Sequence, residues 1–156
     1  MGVITPTLTI NSKASGSSPA SKAGPMSFAF QLSATDSLSI AEVKSKIVDV
    51  FGDHSTSGYN PLWDASDYTA SGEAGTDGAF VYIKNITAAG SGRNIMIGAG
   101  TLENLSSNGE ADRLFTLQPQ EFAFFPWDCT QDLHVDANGD TTNALETWVF
   151  VRTGTA

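Results

Sequence analysis

The chain has 156 residues and a formal net charge of −9, with one cysteine and two histidines. This length suits one domain whose core needs no disulfide or metal. The acidic charge and the scattered basic residues argue against binding to nucleic acid or to an anionic membrane, because both are polyanions. The lone Cys129 excludes an intrachain disulfide.

The N-terminal residues predict an extended arm. Residues 3–10 alternate weakly and include Pro6, which removes one ladder donor, so they fit an arm or an edge strand. Residues 11–25 are rich in Ser, Ala, Gly and Pro, and fit either a flexible linker or an arm that orders on a neighbouring subunit. We therefore expect residues 1–24 to form arm and linker, and residues 25–156 to form the folded domain.

Two further segments precede the centre of the chain. Met26, Phe28, Phe30 and Leu32 alternate with small or polar residues, which predicts a strand. Residues 38–51 fit two periods. Ile40, Val43, Ile47 and Phe51 have helical spacing, whereas the alternation from Val43 to Asp49 and the β-branched content favour a strand. We predict a strand and keep a helix as the alternative.

Residues 53–78 form the longest stretch without a regular pattern. Loops of this length are either functional or packed by their own side chains. Leu62, Trp63 and Tyr68 predict that this one folds back onto the domain.

From residue 79 onward the sequence predicts a series of short antiparallel strands. They are expected near residues 79–86 (apolar on both faces, hence buried on both), 95–97, 114–117, 122–125, 133–135 and 145–152. In the last of them, Trp148 and Phe150 lie on one face, and Thr147, Val149 and Val151 lie on the other. Pro119-Gln120 and Asn138-Gly139 are turn signals, the second typical of a hairpin. Short strands with polar turns predict a mainly β fold, an antiparallel β-sandwich that is jelly-roll-like.

Aromatic residues are unusually dense at residues 122–127. One interpretation is a core strand, made by Phe122, Phe124 and Phe125, with Trp127 as a lid. The other is that Pro126 and Trp127 end a strand and dock a neighbour, since tryptophan is enriched at interface hot spots.

Residues 136–140 resemble the start of a calcium loop, but Thr147 stands where such a loop needs a bidentate glutamate, so a hairpin turn is favoured. Asp132, His134 and Asp136 fall on one face of a strand, which we interpret as a solvated polar face rather than a metal site.

The acidic residues around the long loop, Asp49, Asp53, Asp64 and Asp67, show no fixed carboxylate pair of the kind that cleaves glycosides. The residues therefore predict a protein without enzymatic activity, metal or cofactor. An enzyme on a cupin-like roll, which would need a metal, is a rival hypothesis.

Three segments resemble small virion structural proteins of tailed bacteriophages, particularly marine and cyanobacterial ones. They are residues 62–69 (LWDASDYT), 80–85 (FVYIKN) and 117–122 (LQPQEF) with 124–126 (FFP). The shared pattern is a strand ending in Lys-Asn, a second strand, a turn of leucine, proline, acidic and aromatic residues, and a last strand. Gln120 stands where glycine is usual in that turn.

The resemblance implies a multi-copy virion subunit of the capsid decoration or cement type. Its expected partners are copies of itself, as a homo-oligomer, and other virion proteins such as the major capsid protein. Without a recognisable signal peptide, synthesis in the host cytoplasm and assembly at the capsid surface are expected. The residues predicted at interfaces are Val3, Ile4, Leu8 and Ile10 in the arm, and Trp63, Tyr68 and Trp127 in the body. A tail or adhesion subunit that stacks sugar on Trp63, Tyr59 and Tyr68 is the alternative.

Overall fold

The computed structural model describes residues 2–4, 38–51, 61–69, 78–100, 113–138 and 143–152. The chain divides into two units. The large unit comprises Met1–Gly2 and Ile40–Ala156, and the small unit comprises Val3–Ser39. Strand β1 (Gly2–Ile4) includes Val3 and Ile4. Leu8, Ile10, the predicted linker and the predicted strand at 26–32 lie outside the described residues.

The remaining elements are nearly all strands, so the prediction of a mainly β protein is confirmed. They are β2 (Leu38–Val50), α1 (Ser66–Thr69), β3 (Ala79–Asn85), β4 (Ile95–Ala99), β5 (Arg113–Leu117), β6 (Phe122–Trp127), β7 (Leu133–Ala137) and β8 (Asn143–Arg152). Within the described ranges, no helix is long and apolar enough to cross a membrane.

The strands of the large unit form two antiparallel sheets. The first has the order β2-β8-β3-β6 and the second has the order β5-β4-β7. Trp63 adds an isolated antiparallel bridge to Leu133, at the β7 side of the second sheet. Neighbouring strands are mostly far apart in sequence, so the chain crosses repeatedly from one sheet to the other.

Both sheets contribute side chains to one hydrophobic core. Val81, Ile83 and Val149 point inward from the first sheet, and Ile95 and Val135 from the second. The burial of β8 alternates residue by residue, with every odd-numbered position from Asn143 to Val151 buried. One face of this strand therefore lies against the core, and the other face points away from it.

The strand prediction for residues 38–51 is confirmed. Strand β2 pairs with β8 from Ile40, opposite Arg152, to Val50, opposite Asn143, with a register shift between Ile40 and Glu42. Pairing with β8 runs along nearly the whole of β2, and these long-range contacts outweigh the helical spacing of the apolar residues.

Two predictions for the strands are wrong. Strand β3 is fully buried on one face only, while Phe80 and Tyr82 remain half-buried on the other. Asn138-Gly139 does not join a hairpin, because β7 and β8 belong to different sheets. The side chain of Asn138 instead accepts a hydrogen bond from the amide of Asn94 at 2.7 Å and donates one to the carbonyl of Gly92 at 3.1 Å.

The turn predicted at Pro119-Gln120 is confirmed. The amide of Glu121 donates to the carbonyl of Gln118 at 3.0 Å, which closes a four-residue turn. Gln120 has φ 72°, the left-handed conformation that the third residue of a type II turn requires and that glycine usually supplies.

The prediction that the long central segment folds back is also confirmed for its described part. Leu62, Trp63 and Tyr68 are buried in the core. The carboxylate of Asp64 accepts a hydrogen bond from the amide of Ser66 and so caps α1, and that of Asp132 accepts from the amide of Ala65 at 2.7 Å. The bond to Asp132 fastens the segment to the residue directly before β7.

Candidate functional site: an exposed aromatic sheet face

The most unusual surface of the described residues is the outer face of the first sheet. The register places outward-facing residues of four strands side by side. Val43, Phe150, Phe80 and Pro126 form one row, and Ser45, Trp148, Tyr82 and Phe124 form the next. A third row contains Ile47, Glu146, Lys84 and Phe122. We call this surface the aromatic face.

Large apolar side chains on this face are open to solvent. The exposed fractions are 47% for Val43, 70% for Ile47, 52% for Phe122, 38% for Phe124 and 37% for Trp148. Among the described residues the remaining exposed large apolar side chain is Leu114, at 53%, on β5 of the other sheet. The exposed apolar surface is thus concentrated on one face, which is typical of a binding surface rather than of scattered surface residues.

The rings of the aromatic face support one another. Phe80 and Phe124 stack with centroids 5.5 Å apart, and Trp148 and Phe150 stack at 6.4 Å. Phe124 meets Phe150 edge to face at 6.3 Å, which links the two pairs. Because each ring is held by its neighbours, the face is preorganised and loses little side-chain entropy on binding.

The few charges on the face have both signs. Lys84 and Glu146 are opposite one another on β3 and β8, and the indole Nε1 of Trp148 donates to Glu146 Oε1 at 3.0 Å. The guanidinium of Arg152 lies 4.2 Å from the ring centre of Phe80. Asp49 adjoins the opposite end of the face, next to Ala144. Two basic and two acidic residues leave the face without net charge.

The three body residues predicted at interfaces lie in the core instead. Trp63, Tyr68 and Trp127 are each at most 7% exposed. Their rings pack edge to face, with Tyr68 6.4 Å from Trp63 and 5.3 Å from Trp127. Their burial leaves little surface for a partner or for stacking on sugar, so the observed role of these residues is to fill the core.

Polar groups around these rings are adapted to burial. The Nζ atom of Lys46 lies 4.1 Å from the ring centre of Trp63, and that of Lys44 lies 4.7 Å from that of Tyr68. Burial lowers the pKa of Lys46, an effect that the nearby Asp67 carboxylate opposes, and burial raises the pKa of Tyr68. The two lysines thus cover the aromatic rings with their stems and charges.

The interpretation of Asp132, His134 and Asp136 as a solvated polar face is wrong. His134 and Asp136 are buried on β7, on the face opposite to the core residues Leu133 and Val135. Their neighbours across the sheet are Gly98 and Met96 of β4. Within the part of the chain that the structure describes, no group of three histidine, cysteine or acidic side chains is arranged to hold a metal ion.

An open cleft of about 540 Å³ lies between the ends of the two sheets. Its lining is mixed, with the apolar side chains of Leu114, Phe125 and Trp127 beside the charged side chains of Asp128 and Arg152. Hydrogen bonds from the amide and hydroxyl of Thr130 lower the pKa of Asp128. Among the described residues that line the cleft, Asp128 and Arg152 are the ionisable ones.

Sequence reasoning partly missed the aromatic face. It singled out Phe122 and Phe124 as a dense patch and placed Trp148 and Phe150 on one face of the last strand. It did not join them, because the pairing of β8 with β3 and of β3 with β6 is not visible in the sequence. One feature of the sequence could have indicated it. Strands β3 and β8 have apolar residues on both faces, and a single core covers only one face of a sheet, so the other face exposes apolar residues.

Comparison with known proteins adds no relative: no protein-family model matches the chain, and no curated protein matches it significantly.

Proposed function

We propose that the protein is a non-enzymatic structural subunit of a tailed-phage virion that decorates or cements the capsid surface. The observation that carries the proposal is the aromatic face. An apolar surface spread over four strands costs solubility in a free monomer, so its presence favours a protein that works in contact with another macromolecule.

The strand order supports a jelly-roll sandwich for this protein. The first sheet follows the order β2-β8-β3-β6 and the second follows β5-β4-β7, with Trp63 bridged beside β7 at the position of a fourth strand. A jelly roll consists of two four-stranded sheets linked by crossing connections, and viral capsid proteins, lectins and cupins use this fold. Because the fold serves several functions, the surface must select among them.

The sequence resemblance to phage virion proteins agrees with this assignment. Residues 62–69 supply Trp63 and Tyr68 to the core, and residues 80–85 and 122–126 supply four of the six rings of the aromatic face, those of Phe80, Tyr82, Phe122 and Phe124. The resembling segments therefore coincide with the parts of the chain that make the body and its binding surface.

An N-terminal arm, residues 1–24, would supply a second contact. Val3 and Ile4 lie in a strand, and an extended segment of this kind can add to the exposed edge of a neighbouring sheet. The expected partners are the major capsid protein and further copies of the chain. Repeated contacts on a symmetric shell add avidity to individually weak ones.

The test is an electron cryo-microscopy map of particles of the phage that encodes the chain. Ordered copies on the capsid lattice are the expected result. Copies confined to the tail would replace the proposal with its alternative, a tail or adhesion subunit. Absence from every particle would refute a virion role altogether.

Substitutions separate the two proposed contacts. Particles carrying Ile47→Lys should lose most of the bound protein, whereas Leu114→Lys, an equally drastic change on the other sheet, should retain it. Leu8→Asp with Ile10→Asp tests the arm in the full-length chain. Full occupancy by that variant would refute arm docking and leave the aromatic face as the contact.

A further inference from the structure

We infer that the partner of the aromatic face is the same face of a second copy of this chain, packed about a two-fold axis. The inference rests on the proposed function, because it names the occupant of the surface on which that proposal depends. Two observations carry it: the charge of the face and its size.

The charge of the face differs from that of the whole molecule. The chain has a formal net charge of −9, so copies repel one another over most of their surfaces. The aromatic face has Lys84 and Arg152 against Asp49 and Glu146, and is neutral. It is therefore a surface on which two acidic copies can meet without net repulsion, and on which opposite charges are available for pairing.

The size of the face fits a dimer. A large apolar side chain presents roughly 150–250 Å² when fully exposed, so the five exposed ones leave about 450 Å² of apolar area in solvent. Half-buried Phe80, Tyr82 and Phe150 lie between them and extend the patch. Together they approach the ~800 Å² per partner of a standard interface.

The rows of the face also complement themselves. A two-fold axis parallel to the strands, midway between β8 and β3, places β2 of one copy over β6 of the other. Ile47 then meets Phe122 of the second copy, Ser45 gives room to Phe124, and Lys84 meets Glu146. Sheets that pack face to face in this way interdigitate their side chains as the two layers of a sandwich do.

Sedimentation velocity on the full-length chain tests the inference. We expect a species of twice the 16.4 kDa chain mass. Ile47→Lys should raise the dimer dissociation constant by at least about tenfold, because it places a charge against an apolar surface. The matched control, Leu114→Lys, should leave it unchanged. Circular dichroism on each variant shows that the fold is retained.

A charge exchange gives the sharpest form of the experiment. Lys84→Glu and Glu146→Lys should each weaken self-association at least about tenfold. In either variant, residues 84 and 146, which meet across the interface, carry charges of the same sign and repel each other. Mixing the two variants should restore dimers, because an acidic face then meets a basic one. Rescue by mixing requires that the two faces contact each other, so it excludes a merely structural effect.

A wild-type chain that remains monomeric up to about 100 μM overturns the inference, since stable dimers of this size form well below that concentration. Dimers that survive Ile47→Lys, or separate variants that fail to recombine on mixing, overturn it as well. The outcome is distinguishable from failure of the proposed function. Monomers that still coat the capsid would refute only the dimer, and dimers absent from all particles would refute only the virion role.

Discussion

The indole Nε1 of Trp63 donates a hydrogen bond of 2.9 Å to Thr147 Oγ1, across 84 positions of the chain. The Thr147 hydroxyl in turn donates to the carbonyl oxygen of Tyr82 at 3.1 Å. The bond between Trp63 and Thr147 satisfies the one polar atom of a buried tryptophan side chain, and its acceptor lies on the inner face of β8. Trp63 is thereby fixed against the first sheet while its backbone bridges to Leu133 of the second.

Replacing Thr147 by valine should destabilise the protein by about 1–3 kcal/mol, because the indole N–H of Trp63 would remain buried without an acceptor. Thr147→Ser keeps the hydroxyl and should lose less. Urea unfolding followed by tryptophan fluorescence measures both. A larger loss for the serine variant than for the valine variant would show that the methyl group, which valine keeps, matters more at this position than the hydrogen bond.

A second prediction concerns Asn85, whose side chain is fully buried. Its Nδ2 donates to the carbonyls of Arg93 at 2.9 Å and Leu117 at 3.1 Å, and its Oδ1 accepts from the amide of Thr87. Asn85→Leu would leave these buried backbone groups unpaired and should cost about 2–4 kcal/mol. Ser91→Ala, which removes an exposed hydroxyl acceptor, is the control and should be nearly neutral in the same urea titration.

The left-handed conformation of Gln120 predicts an unusual order of stabilities. Gln120→Ala loses the hydrogen bond from Nε2 to the carbonyl of Thr87 and keeps the strained backbone. Gln120→Gly loses the same bond but relieves the strain, so it should be more stable than the alanine variant by roughly 1 kcal/mol. Thermal unfolding of the two variants side by side decides the matter, and an alanine variant of equal or higher stability would contradict the turn geometry.

Cys129 predicts a stability change at alkaline pH. Burial raises the pKa of its thiol from 9.0 to about 11. The folded state therefore disfavours the thiolate, and the resulting stabilisation is fully present below pH 9 and is lost as pH rises through about 11. Cys129→Ala should lack this part of the decline. Urea midpoints measured between pH 8 and 11 give the difference in stability between the wild-type protein and Cys129→Ala. This difference should narrow as pH increases. A difference that stays constant over this range would refute the effect of burial on the thiol.

The sequence predicted most of the described strands, because their alternation reports burial directly. Strand β8 shows this best: Trp148 and Phe150 were assigned to one face and Val149 and Val151 to the other, as the structure has them. Residues 38–51 carried two periods, and only the long pairing of β2 with β8 decides between them.

Contacts between distant strands could not be predicted in this way. His134 and Asp136 alternate with apolar residues as a solvated face would, but the structure buries them. Trp63, Tyr68 and Trp127 were predicted at interfaces, where tryptophan is enriched, whereas they meet one another in the core. In both cases the burial of these residues is decided by which strands pair. Strands that are distant in the sequence pair with one another, and a local pattern of residues does not show which ones do.

The central place of β8 in the first sheet has a consequence for biosynthesis. Strand β8 lies between β2 and β3, yet it is the last described strand along the chain. While the ribosome is still making residues 143–152, β2 and β3 have no common neighbour, and the edge of each that pairs with β8 remains open. The domain thus completes its first sheet only after those residues have emerged, and until then two open strand edges are available for pairing with other chains.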